Sequence, residues 1–323
     1  MNLQQLRIVR ETARQDFNLT TVAETLYTSQ PGVSRHIKEL EDELGVEIFV
    51  RRGKRLTGLT EPGKELIGVV ERIVLDTQNV KRIAAQFSSR DRGQLIVAAT
   101  HTQARYALPQ VIRTFKREYP GVHLVLHQGS PREIAEMAAA GEADIAIATE
   151  RLAETTDLVT FPAYTWHHAV IVPEGHVLAE KESLTLEAIA EHPIVTYHEG
   201  FTGRGHIDAT FAKAGLVPDI VLSAIDADVI KTYVELGLGI GIVAAIAFDA
   251  RRDAGLKLLP AEHLFAENIT KIAIRSGTYL RDYAYRFVEL LAPTLTRADV
   301  KRAVFPSERD RPAELLPGLS CGG

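Results

Sequence analysis

Over residues 17–44, apolar side chains recur at helical spacing in two short stretches separated by a tight turn. Val22, Ala23 and Leu26 form the inward side of the first stretch, and the small Ala23 allows a close helix crossing. In the second, Val33, Ile37, Leu40 and Leu44 follow at intervals of 4, 3 and 4, one buried stripe of an amphipathic helix. Thr20 or Thr21 can cap the first helix and Thr28 or Ser29 the second, a hydroxyl accepting from a free backbone N–H in each case. Pro31 is tolerated because first-turn N–H groups have no intrahelical partner. The face opposite the stripe carries Gln30, Pro31, Ser34, Arg35 and Lys38. The pattern predicts a helix-turn-helix whose second helix enters the DNA major groove. Gln30 and Arg35 have forked donors suited to base edges; Ser29 and Lys38 are placed for phosphates, and Thr28, Pro31 and Ser34 complete the candidate surface.

Ile48, Phe49 and Val50 on one side and Leu56, Thr57, Gly58 and Leu59 on the other flank Arg51, Arg52, Gly53, Lys54 and Arg55, which predicts a short hairpin with a basic tip. Beside a recognition helix, Arg51, Arg52 and Lys54 are candidates for a phosphate-neutralising wing. Thr60, Glu61 and Pro62 then open a long helix. Along it Leu66, Val70, Ile73, Thr77, Val80, Ala84 and Phe87 alternate at spacings of 4 and 3. One helix cannot bury that seam alone, which predicts a homodimer through residues 63–88 that presents two recognition helices to two DNA half-sites; the alternative is packing against its own first helix at Leu3, Leu6 and Val9.

Past the polar link at 88–93 the period changes. Strands at 95–99, 122–127 and 144–148 alternate with helices at 108–119 and 131–140, which predicts a parallel doubly wound sheet. A second such unit runs through strands at 168–172, 193–197, 220–225 and 240–244, and a strand at 269–274 with a helix at 281–291 returns to the first. The fold class is thus α/β: a winged helix-turn-helix (1–60), a linker and dimerisation helix (61–92), and a two-lobed effector domain (93–306), with a flexible tail at 307–323. Lobe I takes 93–163 and 267–306, lobe II 164–266, and a ligand is expected in the cleft at the strand C-termini.

The net charge of −5 is unpromising for a DNA binder until divided: residues 1–92 carry +2 and the remainder −7. No apolar run reaches the ~18 residues of a membrane span, and the polar amphipathic N-terminus predicts a cytoplasmic protein with no membrane partner. A single cysteine, Cys321, can form neither an internal disulfide nor a zinc site. Gly237, Gly239 and Gly241 follow a helix and precede a strand, the reverse of a dinucleotide fingerprint. His167 and His168 point to opposite faces of a strand, poor geometry for one metal. No nucleophile–base pattern emerges, so neither catalysis nor a cofactor is expected.

In the expected cleft, Thr100 ends a strand, Thr102 and Gln103 open a helix, and Thr149 ends another strand facing the same crevice. Thr202 sits in a glycine-flanked turn on the opposite lobe. Free N–H groups at helix starts, with hydroxyl and amide donors, suit a small anion, although helix capping is the commoner use of such threonines.

The segments Ser29–Ile37 and Leu56–Gly63 resemble the winged helix-turn-helix and linker of LysR-type transcriptional regulators. Thr100–Tyr106, Pro193–Tyr197, Gly200–Arg204 and Asp226–Tyr233 resemble the CysB branch of that family, whose members regulate sulfur assimilation and cysteine synthesis. The resemblance extends to about residue 300. It implies promoter DNA and a small anionic effector (sulfate, thiosulfate, O-acetylserine or N-acetylserine) as partners, a homotetramer, and contact with RNA polymerase when activating. The matching threonines and Gln103 would bind the effector, with Trp166 lining the cleft.

Overall fold

The computed structural model describes residues 1–53 and 55–305; Lys54 of the expected wing and the expected tail with Cys321 lie outside the described residues. The chain divides into two compact units, residues 1–84 and 85–323.

The first unit contains α1 (Leu3–Arg14), α2 (Leu19–Thr25), α3 (Gln30–Leu44), a β1 (Phe49–Arg52) and β2 (Arg55–Leu59) hairpin, and most of α4 (Glu61–Ser88). Asn18, rather than Thr20 or Thr21, caps α2: the helix starts earlier than expected, and the amide oxygen accepts from the N–H groups of both threonines, at 3.1 and 3.3 Å. Ser29 caps α3 through the Gly32 N–H at 3.2 Å, with Pro31 in the first turn, and Gly45 ends it at φ +70°. Val33, Ile37 and Leu40 are fully buried with Leu6, Val9, Val22, Phe49 and Val74, whereas Leu44, the last position of the expected stripe, is exposed at the helix end.

Thr60 caps α4 at the Gly63 N–H, 3.0 Å. A side chain at Gly63 would stand 2.0 Å from the Ile48 carbonyl oxygen, so the glycine is what lets α4 start flush against the hairpin. The heptad positions of α4 then divide. Leu66, Val70 and Ile73 pack into the core shared with Leu6 and Val9, which is the own-helix alternative, while Val80 and Phe87 are 66% and 84% exposed.

In the second unit the elements are β3 (Gly93–Ala99), α5 (Leu108–Glu118), β4 (Val122–Gln128), α6 (Pro131–Ala140), β5 (Ile145–Ala148), β6 (Leu158–Trp166) and β7 (His168–Pro173). They continue with α7 (Leu186–Ala190), β8 (Ile194–Tyr197), α8 (Arg204–Lys213), β9 (Ile220–Ala224), α9 (Ala227–Glu235) and β10 (Ile240–Ala244). The last are β11 (Leu256–Pro260), β12 (Asn268–Arg275), α10 (Asp282–Leu291) and α11 (Arg297–Val304). They build two five-stranded sheets, ordered β4-β3-β5-β12-β6 and β11-β7-β10-β8-β9.

Neither sheet is wholly parallel, contrary to the expectation from alternating strands and helices. β4-β3-β5 and β10-β8-β9 are parallel, but β12 runs antiparallel to β5 and β6, and β7 antiparallel to β10 and β11. The reason is the crossing: β6 passes directly into β7 through His167, and the chain returns from β11 into β12. A strand entering a sheet from the other lobe has no crossover helix to force it parallel. β6, β11 and α11 were not anticipated from the sequence pattern. Each sheet has its own core, around Phe115, Ile147 and Phe287 in one and Ile189, Phe211 and Ile242 in the other.

Candidate functional site

At the start of α3, Thr28, Ser29, Gln30 and Pro31 are all exposed, Ser34 is half-buried, and Arg35 and Lys38 are exposed one and two turns on. The apolar stripe is inward, so this surface faces solvent as a set. Arg35 forms an ion pair with Glu39 at 2.9 Å, but with its side chain 74% exposed the pair is weak and the guanidinium free to leave it. The wing is less uniform than its charge suggests. Arg52 is exposed, whereas Arg51 pairs with the buried Glu41 of α3. The Glu41 carboxylate also accepts from the backbone N–H groups of Ile48 and Phe49, at 2.8 and 3.2 Å. Sequence reasoning missed this acid, which ties the helix to the hairpin; a lone Glu on the inward side of an amphipathic helix was its only trace.

In the second unit, the strand C-termini of both lobes meet. Thr100 is buried immediately after β3, its N–H donating to the Ile147 carbonyl at 3.2 Å. Thr102 precedes a π-helical turn over Gln103–Ala107, a departure from α geometry common near functional sites. Its hydroxyl does not cap that turn. It lies 3.2 Å from the hydroxyl of Thr202 in the opposite lobe, and both residues are buried. Thr202 has φ +44°, a left-handed conformation rare for a β-branched residue. Gln103 accepts from the Tyr164 hydroxyl through its side-chain oxygen. Trp166 donates from its indole N–H to Thr270 at 3.1 Å, and Thr270 in turn lies 3.5 Å from the Thr149 hydroxyl. The six residues singled out for the effector therefore fall in one region, Thr102 and Thr202 in direct contact and Trp166 linked to Thr149 through Thr270.

Several partners of this region were not foreseen. His168 is buried at the start of β7; its Nε2 donates to the Thr202 carbonyl at 3.0 Å, and its Nδ1 accepts from the Asn268 amide at 3.4 Å. Burial pushes its pKa down to about 4, so the ring is neutral. Glu150 accepts from the Gly203 N–H at the start of α8, and burial raises its pKa. Gly203, at φ +69°, admits no side chain: a Cβ would stand 2.2 Å from the Asn268 side-chain oxygen. A second tie between the lobes involves Asp228, which accepts from Tyr106 at 2.7 Å and Arg105 at 3.0 Å and pairs with Lys231 at 3.2 Å. Burial pushes that carboxyl up, but these donors outweigh it and hold it at about 2. Arg105, Tyr106 and Asp228 all lie in segments that carried the family resemblance; the topology, which the sequence does not display, brings them together.

His101, Asp226 and Asp228 also come close enough to share an ion, but Arg105 and Lys231 already neutralise Asp228, so the donor set does not fit a cation. Among the described residues no helix is long and apolar enough to cross a membrane.

Residues 3–64 match the model of the bacterial regulatory helix-turn-helix protein, lysR family, and residues 88–296 that of the LysR substrate binding domain. The chain is 61% identical over 300 residues to the HTH-type transcriptional regulator SsuR of Burkholderia cenocepacia, covering 93% of this chain and 97% of that one. To CysB of the same organism it is 55% identical over 304 residues, covering 94% and 97%. The solved cofactor-binding domain of the Cbl transcriptional regulator superposes with a TM-score of 0.65 at 49% identity, covering 67% of this chain and 95% of that domain. These relatives are transcriptional regulators, not enzymes. The exposed recognition face, the two-lobed α/β unit and these likenesses together make the chain a member of the LysR family of DNA-binding, effector-responsive transcriptional regulators.

Proposed function

We propose that this protein regulates genes of sulfur assimilation and cysteine synthesis, binding promoter DNA through Thr28, Ser29, Gln30, Pro31, Ser34, Arg35 and Lys38 with the wing arginines Arg51 and Arg52. A small anionic effector (sulfate, thiosulfate or an acetylserine) binds between the lobes at Thr100, Thr102, Gln103, Thr149, Trp166 and Thr202. The observation carrying this reading is the buried Thr102–Thr202 hydroxyl pair, which spans both lobes and caps no helix. Hydroxyl and amide donors at helix starts bind an anion without the desolvation that a buried lysine would add. An anion inserted there has different contacts in open and closed states, the differential affinity that a population shift requires. The likeness to SsuR and CysB supports the sulfur assignment. The exposed Val80 and Phe87 of α4 support a dimer through that helix, placing two recognition helices on one site, and two such dimers make the tetramer.

Thermal shift of the full-length protein with sulfate, thiosulfate, O-acetylserine and N-acetylserine tests the effector, since a ligand of the native state raises its stability. Thr102→Ala and Thr202→Ala are expected to abolish that response and the effector-dependent change in promoter binding. A response to an unrelated acid alone, with all four failing, assigns the regulator to another pathway.

A further inference from the structure

β1 and β2 pair so that Arg52 lies directly opposite Arg55, and Arg51 directly opposite Leu56. Successive pairs of a two-stranded ribbon project to opposite faces. On the inward face Leu56 is buried and Arg51 is held by the buried Glu41. On the other face both Arg52 and Arg55 are exposed, and neither has an ion pair or a side-chain hydrogen bond among the described residues. Like charges directly opposite each other destabilise a ribbon, so this pair is a repulsion that the free protein leaves uncompensated. Arg55 also lines a groove of about 480 Å³ with Gln30, the first residue of α3, and with Asn18 and Thr20 at the start of α2. The Asn18 side-chain oxygen is taken by the Thr20 and Thr21 N–H groups, which leaves its amide N–H₂ free to donate. The one carboxylate lining the groove is that of Asp16, which forms no ion pair with Arg55.

We infer that Arg52 and Arg55 form a two-arginine clamp on the DNA backbone, with Arg55 and the groove donors taking the phosphate beside the base that Gln30 reads. The inference rests on the DNA-contact reading above and moves the weight of the wing from Arg51 to Arg55. A backbone phosphate carries one negative charge and two free oxygens, so it relieves the repulsion between two guanidinium groups and accepts from both. Arg51 serves less freely, because leaving Glu41 would strand a buried carboxylate. Asp16 opposes the phosphate, but two guanidinium groups outweigh one carboxylate. Phosphate contacts fix register and orientation without reading sequence. One held beside Gln30 sets the register of the first turn of α3 in the major groove.

The experiment is fluorescence anisotropy of the full-length protein with a labelled duplex of random sequence, repeated from low to physiological salt. Each phosphate contact contributes about 0.9 to the slope of log affinity against log salt. Arg55→Gln is expected to lower that slope by about one per protomer bound and to weaken binding about tenfold. Arg55→Lys keeps the charge and should keep the slope. Thr20→Val removes a neutral donor and should weaken binding by about fivefold with the slope unchanged. The thermal midpoint of Arg55→Gln should be no lower than that of the parent, since the change removes a repulsion and no folded-state contact. An unchanged slope in Arg55→Gln overturns the clamp. So does weaker binding accompanied by a lower thermal midpoint, which would make Arg55 a residue of the fold. If Arg35→Gln weakens binding while Arg55→Gln does not, the recognition face stands without the clamp; if neither does, both fall.

Discussion

Glu41 offers the sharpest test of how the recognition helix is held. Its carboxylate satisfies the N–H groups of Ile48 and Phe49, two residues that are essentially inaccessible to water, and pairs with Arg51. In Glu41→Ala both N–H groups lose their acceptor. A stranded buried donor is destabilising by about 1–3 kcal/mol, while the Arg51 pair, one-third exposed on the arginine side, contributes under about 1 kcal/mol. With some relief from water entering the vacated space, we expect a loss of about 3 kcal/mol, confined to the junction of α3 with the hairpin. Glu41→Gln separates the two contributions, since its oxygen still accepts from both amides and only the ion pair goes. The assay is hydrogen exchange of the full-length protein, following peptides across 44–59. Glu41→Ala should speed exchange there by about a hundredfold, and Glu41→Gln by no more than about fivefold. DNA affinity should fall in the first variant because the wing no longer keeps its register with α3. Unchanged protection in Glu41→Ala would refute the assignment of the carboxylate as the tie.

The other expectations concern the second unit and the long helix. His168 has a folded pKa near 4 against 6.5 for a free ring, so the unfolded chain takes its proton first. Stability is therefore full above pH 6.5 and falls by about 3 kcal/mol as pH drops toward 4; calorimetry of His168→Gln should show that slope removed, and an unchanged slope refutes the burial argument. Asp228, held near 2 against 3.8, contributes stability above 3.8 that disappears as pH falls through 2. Asp228→Asn should accordingly be less stable than the parent at neutral pH and equal to it near pH 2 by chemical denaturation; a gap that persists there places the effect in packing rather than charge. Val80→Asp combined with Phe87→Asp should shift sedimentation of the full-length protein toward monomer without unfolding it, since both side chains are already exposed; an undisturbed oligomer rules out this face of α4.

How far the sequence was legible depended on whether the deciding interaction was local. The stripe Val33, Ile37, Leu40 announced both the helix and its buried face, because burial and period are read from the same residues. The seam on α4 announced an apolar face but not what covers it: Leu66, Val70 and Ile73 found Leu6 and Val9 within their own unit, and Val80 and Phe87 did not. Strand direction was illegible for a different reason. Alternating β and α segments imply crossovers, yet β6 runs into β7 across a single residue, and nothing in the composition of a buried strand records which way its neighbour runs. The capping of α2 was missed by two residues because Asn18, Thr20 and Thr21 are all competent caps, and only the extended backbone at Asn18 chooses between them.

Thr202 carries the argument from local preference to function. A threonine followed by Gly203 in front of α8 reads as a helix cap, yet the cap position falls to Gly203, and the helix start is satisfied from the other lobe by Glu150. Thr202 itself adopts φ +44°, which a β-branched residue resists by roughly 1–3 kcal/mol. That conformation persists because His168 holds its carbonyl and the Gly203 N–H is held by Glu150, one grip from each lobe. The consequence is a hydroxyl delivered to Thr102 across the cleft at 3.2 Å instead of being spent on its own helix. A ligand that took hydrogen bonds from both hydroxyls would inherit this arrangement, whereas one touching a single lobe would leave the strain at Thr202 unrewarded. At the proposed effector site, a ligand bonded to both hydroxyls would couple closure of the lobes to occupancy through the backbone of Thr202, the differential contact between two states that a population shift requires.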